Sequence, residues 1–229
     1  MWPAFILLGE QMEFTIIYKN IDFIMDASLK TLSHTLVAFV FALLIAFIVG
    51  TLRSFDLKKI PELILVFYVE FFRGSPLLVQ LFFVYYGLPK FNVVLDSSTA
   101  AVIGLALNGG AYMSEVIRAS ILSVDKGQYE ASYTLGYTSI QRTWYIILPQ
   151  AVRIAVPSLV NGFSGILKGS SLISVLSITE LTRAGQLIYT RTSRPFEIYL
   201  TIALLYFFMT YAVSIVAKNL ELKLSAKYN

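Results

Sequence analysis

The chain has 229 residues, of which 57% are hydrophobic and only 14% are charged, with a formal net charge of +4. An ordinary soluble domain has about 25% charged residues, so this composition excludes a conventional globular enzyme and predicts an integral membrane protein. The chain contains no cysteine, which excludes disulfides, thiolate metal sites and a cysteine nucleophile.

The N-terminus begins MWPAFILLGE, a short apolar stretch with no positive residue before it. A secretory signal peptide has a positive segment and a longer apolar core, so we expect no cleavage here. Residues 10–30 mix acids, lysines and aromatics. This mixture predicts an amphipathic segment that lies at the membrane interface rather than crossing it.

Five apolar stretches follow, and a helix of about 20 apolar residues is long enough to cross a bilayer. They are Thr31–Leu52, Leu63 to about Leu88, Ser97–Ser114, Ile154 to about Thr179, and Ile198–Ala217. The second is interrupted by Glu70, Arg73 and the triplet Gly74-Ser75-Pro76. The fourth contains Pro157 and several glycines and serines, which predict an irregular far end.

Five spans place the two termini on opposite sides, and the positive-inside rule then selects the orientation. With the C-terminus inside, the inner segments contain Arg53, Lys58, Lys59, Lys126, Arg142 and three C-terminal lysines. The sequence therefore predicts an outer N-terminus and an inner C-terminus, although Arg183, Arg191 and Arg194 then lie outside, against the rule. The predicted parts are an interfacial or external segment 1–30, a transmembrane domain 31–222 and a cytoplasmic tail 223–229.

The longest inner connection runs from about Ile121 to Leu148 and has apolar residues at helical spacing on both sides of Gly136. This pattern predicts two short helices joined by a turn, an elbow that projects from the membrane. On physical grounds alone, such an elbow either caps the helix bundle or docks into another protein.

In this elbow, Glu130-Ala131-Ser132 is followed by Gly136 and then, after nine intervening residues, by Ile146-Ile147-Leu148-Pro149. The spacing resembles the EAA loop of ABC importer membrane subunits, with Ser132 in place of the second alanine. The resemblance implies an all-α membrane protein of five transmembrane helices whose cytoplasmic coupling helix sits in a groove of an ATP-binding subunit. It assigns the coupling contacts to Glu130, Ala131, Ser132, Gly136, Ile146, Leu148 and Pro149.

A second resemblance narrows the family. The stretches FRGSPLLVQ (72–80) and YYGLP (85–89) are similar to the second span of the polar amino acid permease branch. The likeness extends over about Leu29 to Leu222, so residues 31–222 resemble a type-1 transmembrane domain of ABC transporters. Many members carry an aspartate where this chain has Gly169.

The resemblance also implies a location and partners. It predicts a multi-pass protein of the bacterial cytoplasmic membrane, paired with an identical or related permease subunit. Two ATPase subunits and an extracytoplasmic amino acid binding protein complete the expected assembly. No nucleic-acid partner is expected, because the positive charges are scattered.

The chain lacks the motifs of a nucleotide-binding or catalytic site. No G-x-x-x-x-G-K-[ST] loop, H-E-x-x-H pattern or G-x-S-x-G elbow occurs, and the single histidine, His34, is expected to be structural. We therefore expect no enzyme activity, no metal and no cofactor on this chain, with ATP and magnesium bound by a partner. A secondary transporter or channel is the rival class, but it needs midplane carboxylates and often inverted repeats.

Charged residues inside the predicted spans have two interpretations. Glu70 and Arg73 stand at i,i+3, so they form either a structural pair that fixes the broken second span or part of the substrate passage. Lys168 needs an anion, a carbonyl shell or water, unless it extends to the outer surface or pairs with Glu180.

The candidate substrate pathway consists of polar residues within the predicted spans. These are Lys168, Ser170, Ser171, Asn161, Gln80 and Asn108. The three amides can alternatively form interhelical hydrogen bonds. The fourth span contains Lys168 and no acid, so a cationic substrate would meet a like charge. Neutral substrates therefore fit better. The run YYGLPKFNVVLDSS and the stretch Gln186–Thr192 look most like the cystine-importing members of the branch, so the resemblance ranks cystine first and glutamine second, with another polar or charged amino acid as the alternative.

Overall fold

The computed structural model describes residues 13–55 and 58–225. The predictions for the first ten residues and for the last four residues of the tail lie outside this part of the chain. The α-helices in the described part are α1 (Thr15–Lys19), α2 (Ile21–Leu52), α3 (Lys59–Gly74), α4 (Leu77–Phe82), α5 (Ser97–Leu122), α6 (Lys126–Thr134), α7 (Ser139–Arg142), α8 (Leu148–Gly169), α9 (Leu181–Thr192) and α10 (Pro195–Ser225). Two short π-helical segments cover Phe83–Gly87 and Thr143–Ile147. Two 3₁₀ segments cover Leu88–Phe91 and Ser170–Leu176.

Among the described residues, four helical stretches are long and apolar enough to cross a membrane. They are Ile21–Leu52, Ser97–Leu122, Ser139–Leu176 and Pro195–Lys223. They fall on the first, third, fourth and fifth predicted spans and agree with the prediction of an all-α membrane protein. The irregular far end predicted for the fourth span is the 3₁₀ segment that begins at Ser170.

The second predicted span is not one continuous helix. Helix α3 ends at Gly74, Ser75 and Pro76 are extended, and α4 begins at Leu77. Proline has no backbone N–H and disfavours helical geometry in the residue before it, which explains the break. The stretch that was predicted as a second crossing is therefore divided into two shorter helical parts.

The start of α2 differs from the prediction for residues 10–30. Residues 21–30 continue the axis of the first span, so the predicted boundary at residue 31 lies inside α2. This part of α2 is held by a separate apolar cluster at one end of the molecule. The buried members of the cluster are Ile24, Leu181, Ile188, Ile198 and Ile202. Helix α9 and the start of α10 thus pack on the projecting end of α2.

Helix α5 is the centre of the larger core, and α2 packs parallel to it. At one end of the pair, His34 Nε2 lies 2.8 Å from Ser98 Oγ, and at the other end Arg53 forms an ion pair with Glu115. Small residues on α2, such as the fully buried Ala42, allow this close contact. The hydrogen bond of His34 to Ser98 agrees with a structural role for the histidine.

Gly50 marks the closest approach of α2 and α5 and supports a first prediction. A Cβ atom at Gly50 would lie 2.5 Å from the Ser114 carbonyl oxygen and 2.8 Å from Ile117 Cβ. Because a backbone atom cannot move aside like a flexible side chain, we expect Gly50→Ala to lower the free energy of unfolding by about 1–3 kcal/mol. Thermal unfolding of the solubilised protein measures this change. Gly74→Ala is the control, since a Cβ there meets no atom within 4 Å, and an equal loss in both variants would contradict the prediction.

Candidate functional site

The predicted elbow between α5 and α8 is present and is built from two capped helices. The Asp125 side chain accepts a hydrogen bond of 2.7 Å from Gly127 N and caps α6. Helix α6 ends where Gly136 adopts a positive φ of 81°, a backbone region that glycine enters without steric cost. Thr138 then caps α7. Gly136 therefore forms the turn of the elbow, as its position in the sequence indicated.

Polar contacts anchor the elbow to the helices on either side. The Tyr129 hydroxyl donates to the Ile121 carbonyl at the end of α5, at 3.0 Å, and the Arg142 guanidinium lies 5.9 Å from the Tyr129 ring centroid. Partial burial raises the pKa of Tyr129, so its phenol remains a proton donor. Gln150 of α8 donates to Gln128 at 3.3 Å. The elbow is thus tied to both neighbouring helices.

The outer face of the elbow is apolar and exposed. Tyr133, Leu135, Ile140 and Tyr145 are 75%, 75%, 68% and 71% exposed. Glu130 and Ala131, which lie on α6 together with Tyr133, are also exposed. Contiguous exposed apolar side chains with a charged neighbour are typical of a protein interaction site. Of the two physical interpretations of the elbow, docking into another protein fits this surface better than capping.

The predicted coupling positions divide into exposed and buried residues. Ser132 is buried and its hydroxyl donates to the Tyr129 carbonyl at 2.8 Å. Ile146 is half-buried and Leu148 is buried, while Pro149 is exposed in the first turn of α8. The buried members can only position the elbow, whereas Glu130 and Ala131 are available to touch a partner.

Gln80 and Asn108 satisfy the backbone at the break between α3 and α4. Gln80 Nε2 donates to the carbonyls of Phe72 and Ser75 at 2.9 and 3.0 Å. Asn108 Nδ2 donates to the Phe72 carbonyl at 2.9 Å and to Gln80 Oε1 at 3.1 Å. These contacts match the alternative interpretation of both amides as makers of interhelical hydrogen bonds.

This network supports a second prediction, on stability. In Gln80→Leu the Ser75 carbonyl loses its amide donor and Asn108 loses an acceptor, and a buried group without a partner costs about 1–3 kcal/mol. We expect a lower thermal unfolding temperature and an unchanged value for Asn161→Leu, because Asn161 is exposed. A Gln80→Leu protein as stable as the parent would show that water replaces the side chain.

The predicted ion pair between Glu70 and Arg73 is replaced by a different one. An Arg73 guanidinium nitrogen lies 3.8 Å from Glu115, and the guanidinium lies 5.5 Å from the Tyr112 ring centroid. Glu115 also pairs with Arg53, while Glu70 is exposed. The broken end of α3 allows Arg73 to reach across to α5. Sequence reasoning assigned no role to Glu115; its position directly after the third predicted span and one turn before Arg118 was the available signal.

Lys168 does not pair with Glu180. Glu180 is fully buried and caps α9 by accepting from Arg183 N and Thr182 N at 2.8 and 2.9 Å. It also accepts a hydrogen bond of 2.9 Å from the Tyr206 hydroxyl. Lys168 is exposed near the end of α8, so its ammonium group is accessible from outside the subunit.

Two predicted pathway residues, Asn161 and Lys168, share an accessible face of α8 with Gly165. Asn161, Gly165 and Lys168 lie on one face of α8 because they are four and three residues apart. Gly165 of this face lines a cavity of about 350 Å³ between α4, α5 and α8, together with Leu77, Asn108, Tyr112, Met113 and Gly162. Gln80 and Ser170 are buried, and the hydroxyls of Ser170 and Ser171 donate to the Leu167 and Lys168 carbonyls. Of the predicted pathway residues, Asn161 and Lys168 on α8 and Asn108 therefore remain candidates for the substrate pathway.

Comparison with known proteins assigns this chain to a family. The family model described as "Binding-protein-dependent transport system inner membrane component" matches residues 42–226. The chain is 43% identical over 197 residues to the L-cystine transport system permease protein TcyB of Bacillus subtilis, covering 85% of this chain and 83% of that protein. It is 42% identical over 193 residues to the probable amino-acid ABC transporter permease protein PatM of Vibrio harveyi, covering 83% and 84%.

Solved structures agree with these sequence relatives. A crystal structure of an amino acid ABC transporter with histidines superposes with a TM-score of 0.87 at 36% identity, covering 93% of this chain and 99% of the solved one. A chain of the MetNI methionine ABC transporter shares the fold, with a TM-score of 0.80 at 17% identity. This chain belongs to the family of binding-protein-dependent transport system inner membrane components, as an ABC permease of the polar amino acid branch.

Proposed function

We propose that this chain is the transmembrane subunit of an ATP-driven importer of polar amino acids in a bacterial cytoplasmic membrane. The observation that carries the proposal is the elbow, because it combines an exposed apolar surface and Glu130 with rigid anchors to α5 and α8. An ATPase subunit docked on this surface can move two spans at once. Such rigid-body movement opens the pathway alternately to the two sides of the membrane.

We further propose five crossings, with the N-terminus outside and the C-terminus inside. The parallel packing of α2 and α5 supports this topology, because two parallel spans need a crossing in the opposite direction between them. The broken pair α3 and α4 is the segment available for that crossing. A broken helix is tolerated at membrane depth where its backbone is satisfied, and Gln80 and Asn108 satisfy it.

A single cysteine at Ser139 tests the orientation, since the chain has no native cysteine. Ser139 is exposed on the elbow. We expect an impermeant maleimide to label Ser139→Cys in inverted vesicles but not in intact cells. A single cysteine at Asn92, in the predicted outer connection, is the control and should show the opposite pattern. Labelling of Ser139→Cys in intact cells would overturn the topology.

The proposed assembly contains several other subunits. A second permease subunit, identical or related, completes the pathway around a two-fold axis, because five helices are too few to surround an amino acid. Two ATPase subunits bind the ATP and magnesium, and a binding protein delivers the amino acid outside. The accessible face of α8 with Asn161 and Lys168 then lines the passage between the two permease subunits.

We rank cystine first and glutamine second as substrates. The relatives support this order, since TcyB is named for L-cystine transport, and the probable glutamine permease GlnM of Bacillus subtilis is 36% identical over 220 residues. The exposed Lys168 can bind a substrate carboxylate, and α8 offers no acid to a cationic side chain. A zwitterionic substrate therefore fits this face better than arginine or lysine.

Uptake of labelled amino acids into proteoliposomes that contain the whole transporter tests the function. We expect uptake of cystine or glutamine that requires internal ATP and is lost in Glu130→Lys, with a normal amount of inserted permease. Uptake driven by an ion gradient without ATP would favour a secondary transporter. Strong uptake of arginine with none of cystine or glutamine would overturn the substrate ranking but leave the importer intact.

A further inference from the structure

A cavity of about 570 Å³ lies away from the proposed pathway, between α2 and α5, on the side where His34 meets Ser98. We propose that this α2–α5 groove binds one acyl chain of a phospholipid whose headgroup carries both a positive and a negative charge, such as phosphatidylethanolamine. This inference concerns the lipid surface of the subunit and does not depend on the transported substrate.

The apolar part of the groove has the length of one leaflet. On α2 it is lined by Val37, Phe41 and Ile45, and on α5 by Val102, Ile103 and Leu107. From His34 to Ile45 a helix rises about 16 Å, close to half of a hydrocarbon core of ~30 Å. The lining ends at Ile45 and Leu107, near the midplane, where the Tyr68 hydroxyl of α3 donates to the Leu107 carbonyl at 2.8 Å. An acyl chain that enters from the membrane surface thus extends as far as the midplane.

The mouth of the groove is polar, and charged residues of both signs lie next to it on α2 and α5. Ser33, His34, Ser98 and Thr99 line it. One turn above His34 on the same face of α2, the Lys30 ammonium lies 2.7 Å from the Asp26 carboxylate. On α5, Asp96 accepts from the Thr99 hydroxyl at 2.6 Å, and these hydrogen bonds hold the pKa of Asp96 below its usual range. Lysine can pair with a lipid phosphate, and the carboxylates can pair with a lipid ammonium group.

The charge balance favours a zwitterionic lipid over an anionic one. The charged side chains next to the mouth residues along the two helices are Lys30 and Asp26 on α2 and Asp96 at the start of α5. The one ammonium group and the two carboxylates leave the charged side chains beside the mouth with a net negative charge. A purely anionic headgroup would therefore meet net repulsion, whereas an ethanolamine ammonium group gains a carboxylate partner.

A helix from a second protein does not fit this space. A helix about 10 Å wide fills roughly 1,300 Å³ over 16 Å of its length, more than twice the cavity volume of about 570 Å³. The groove is also continuous with exposed apolar side chains of the first span, such as Leu44 and Ile48, which face lipid in the proposed topology. A thin acyl chain matches both the volume and the surroundings.

Photolabelling of the intact transporter in nanodiscs tests the proposal. The probe is a phosphatidylethanolamine with a diazirine in one acyl chain, and the labelled peptides are mapped by mass spectrometry. We expect labels concentrated between residues 37 and 45 and between residues 102 and 107. Val102→Trp should fill the groove and lower the labelling about tenfold, the effect of losing roughly two buried methylene contacts. Leu36→Trp, at an exposed position of α2 that does not line the groove, is the matched control and should leave the labelling unchanged.

A second tryptophan variant and a lipid competition complete the test. Val37→Trp replaces an exposed lining residue and should also lower the labelling about tenfold. It provides the same test if Val102→Trp does not fold. Unlabelled phosphatidylethanolamine should compete about tenfold better than phosphatidylglycerol, and Asp96→Asn, which retains a capping side chain, should reduce this preference. Labels spread evenly over the apolar surface, labelling unaffected by both tryptophans, or cross-links of a second permease chain in the groove would each overturn the inference.

Discussion

Gly136→Ala is expected to uncouple ATP hydrolysis from uptake while leaving the amount of inserted permease unchanged. At Gly136 φ is 81° and no atom lies within 4 Å of a Cβ, so the strain comes from the backbone and not from a clash. An L-residue in this conformation costs about 1–2 kcal/mol. Release of that strain moves the end of α6 away from its present direction, and Glu130 moves with it. A loss of ~1.4 kcal/mol of coupling corresponds to about a tenfold fall in uptake.

The substitution series at this position separates conformation from contact. Asparagine tolerates the left-handed region better than other L-residues, so Gly136→Asn should retain more uptake than Gly136→Ala, and Gly136→Val should retain least. Uptake and substrate-stimulated ATPase activity are measured in the same proteoliposomes. Gly74→Ala is the matched control, because its Cβ also meets no atom within 4 Å but its φ is not in the left-handed region. Equal uptake by the alanine, asparagine and valine variants would remove Gly136 from the coupling mechanism.

Glu115→Ala is expected to be the most destabilising of the charge substitutions. The Arg53 and Glu115 side chains are 10% and 28% exposed, so removal of Glu115 should cost less than the ~3–5 kcal/mol of a fully buried pair but more than the ~1 kcal/mol of a surface pair. Glu115 also faces Arg73 at 3.8 Å, so its loss leaves two guanidinium groups without their carboxylate. The end of α2, the broken end of α3 and the inner part of α5 would lose their common contact. We expect a lower yield of folded protein and a lower thermal unfolding temperature.

Matched variants assign this effect to the Glu115 carboxylate. Glu115→Gln preserves the shape and one hydrogen bond to Arg53, so its loss of stability should be smaller. Glu70→Gln should have no measurable effect, since Glu70 is exposed. Unfolding temperatures of the three solubilised variants give the comparison. If Glu70→Gln were as destabilising as Glu115→Ala, Arg73 would have to pair with Glu70, as the i,i+3 spacing predicted. The ion pairs that the structure gives Glu115 would then be wrong.

Local patterns determined most of the fold and the elbow. Uncharged apolar runs predict spans wherever they occur, because the bilayer imposes the same length on each. Gly136 between two amphipathic patterns predicted the turn, since turn geometry depends on a few consecutive residues. Pro76 predicted an interruption of the second span for the same local reason. The family resemblance then followed from spacing within a single loop.

Only the tertiary structure decided the partners of the polar residues. The i,i+3 spacing of Glu70 and Arg73 permitted a pair, but the break after Gly74 turns Arg73 toward Glu115, more than 40 positions away in the sequence. Lys168 and Glu180 were candidates for each other until Glu180 was found capping α9. The α2–α5 groove likewise depends on the register of two distant helices. Sequence pattern determines which residues enter the membrane, whereas helix packing determines which polar groups meet there, because those contacts join distant parts of the chain.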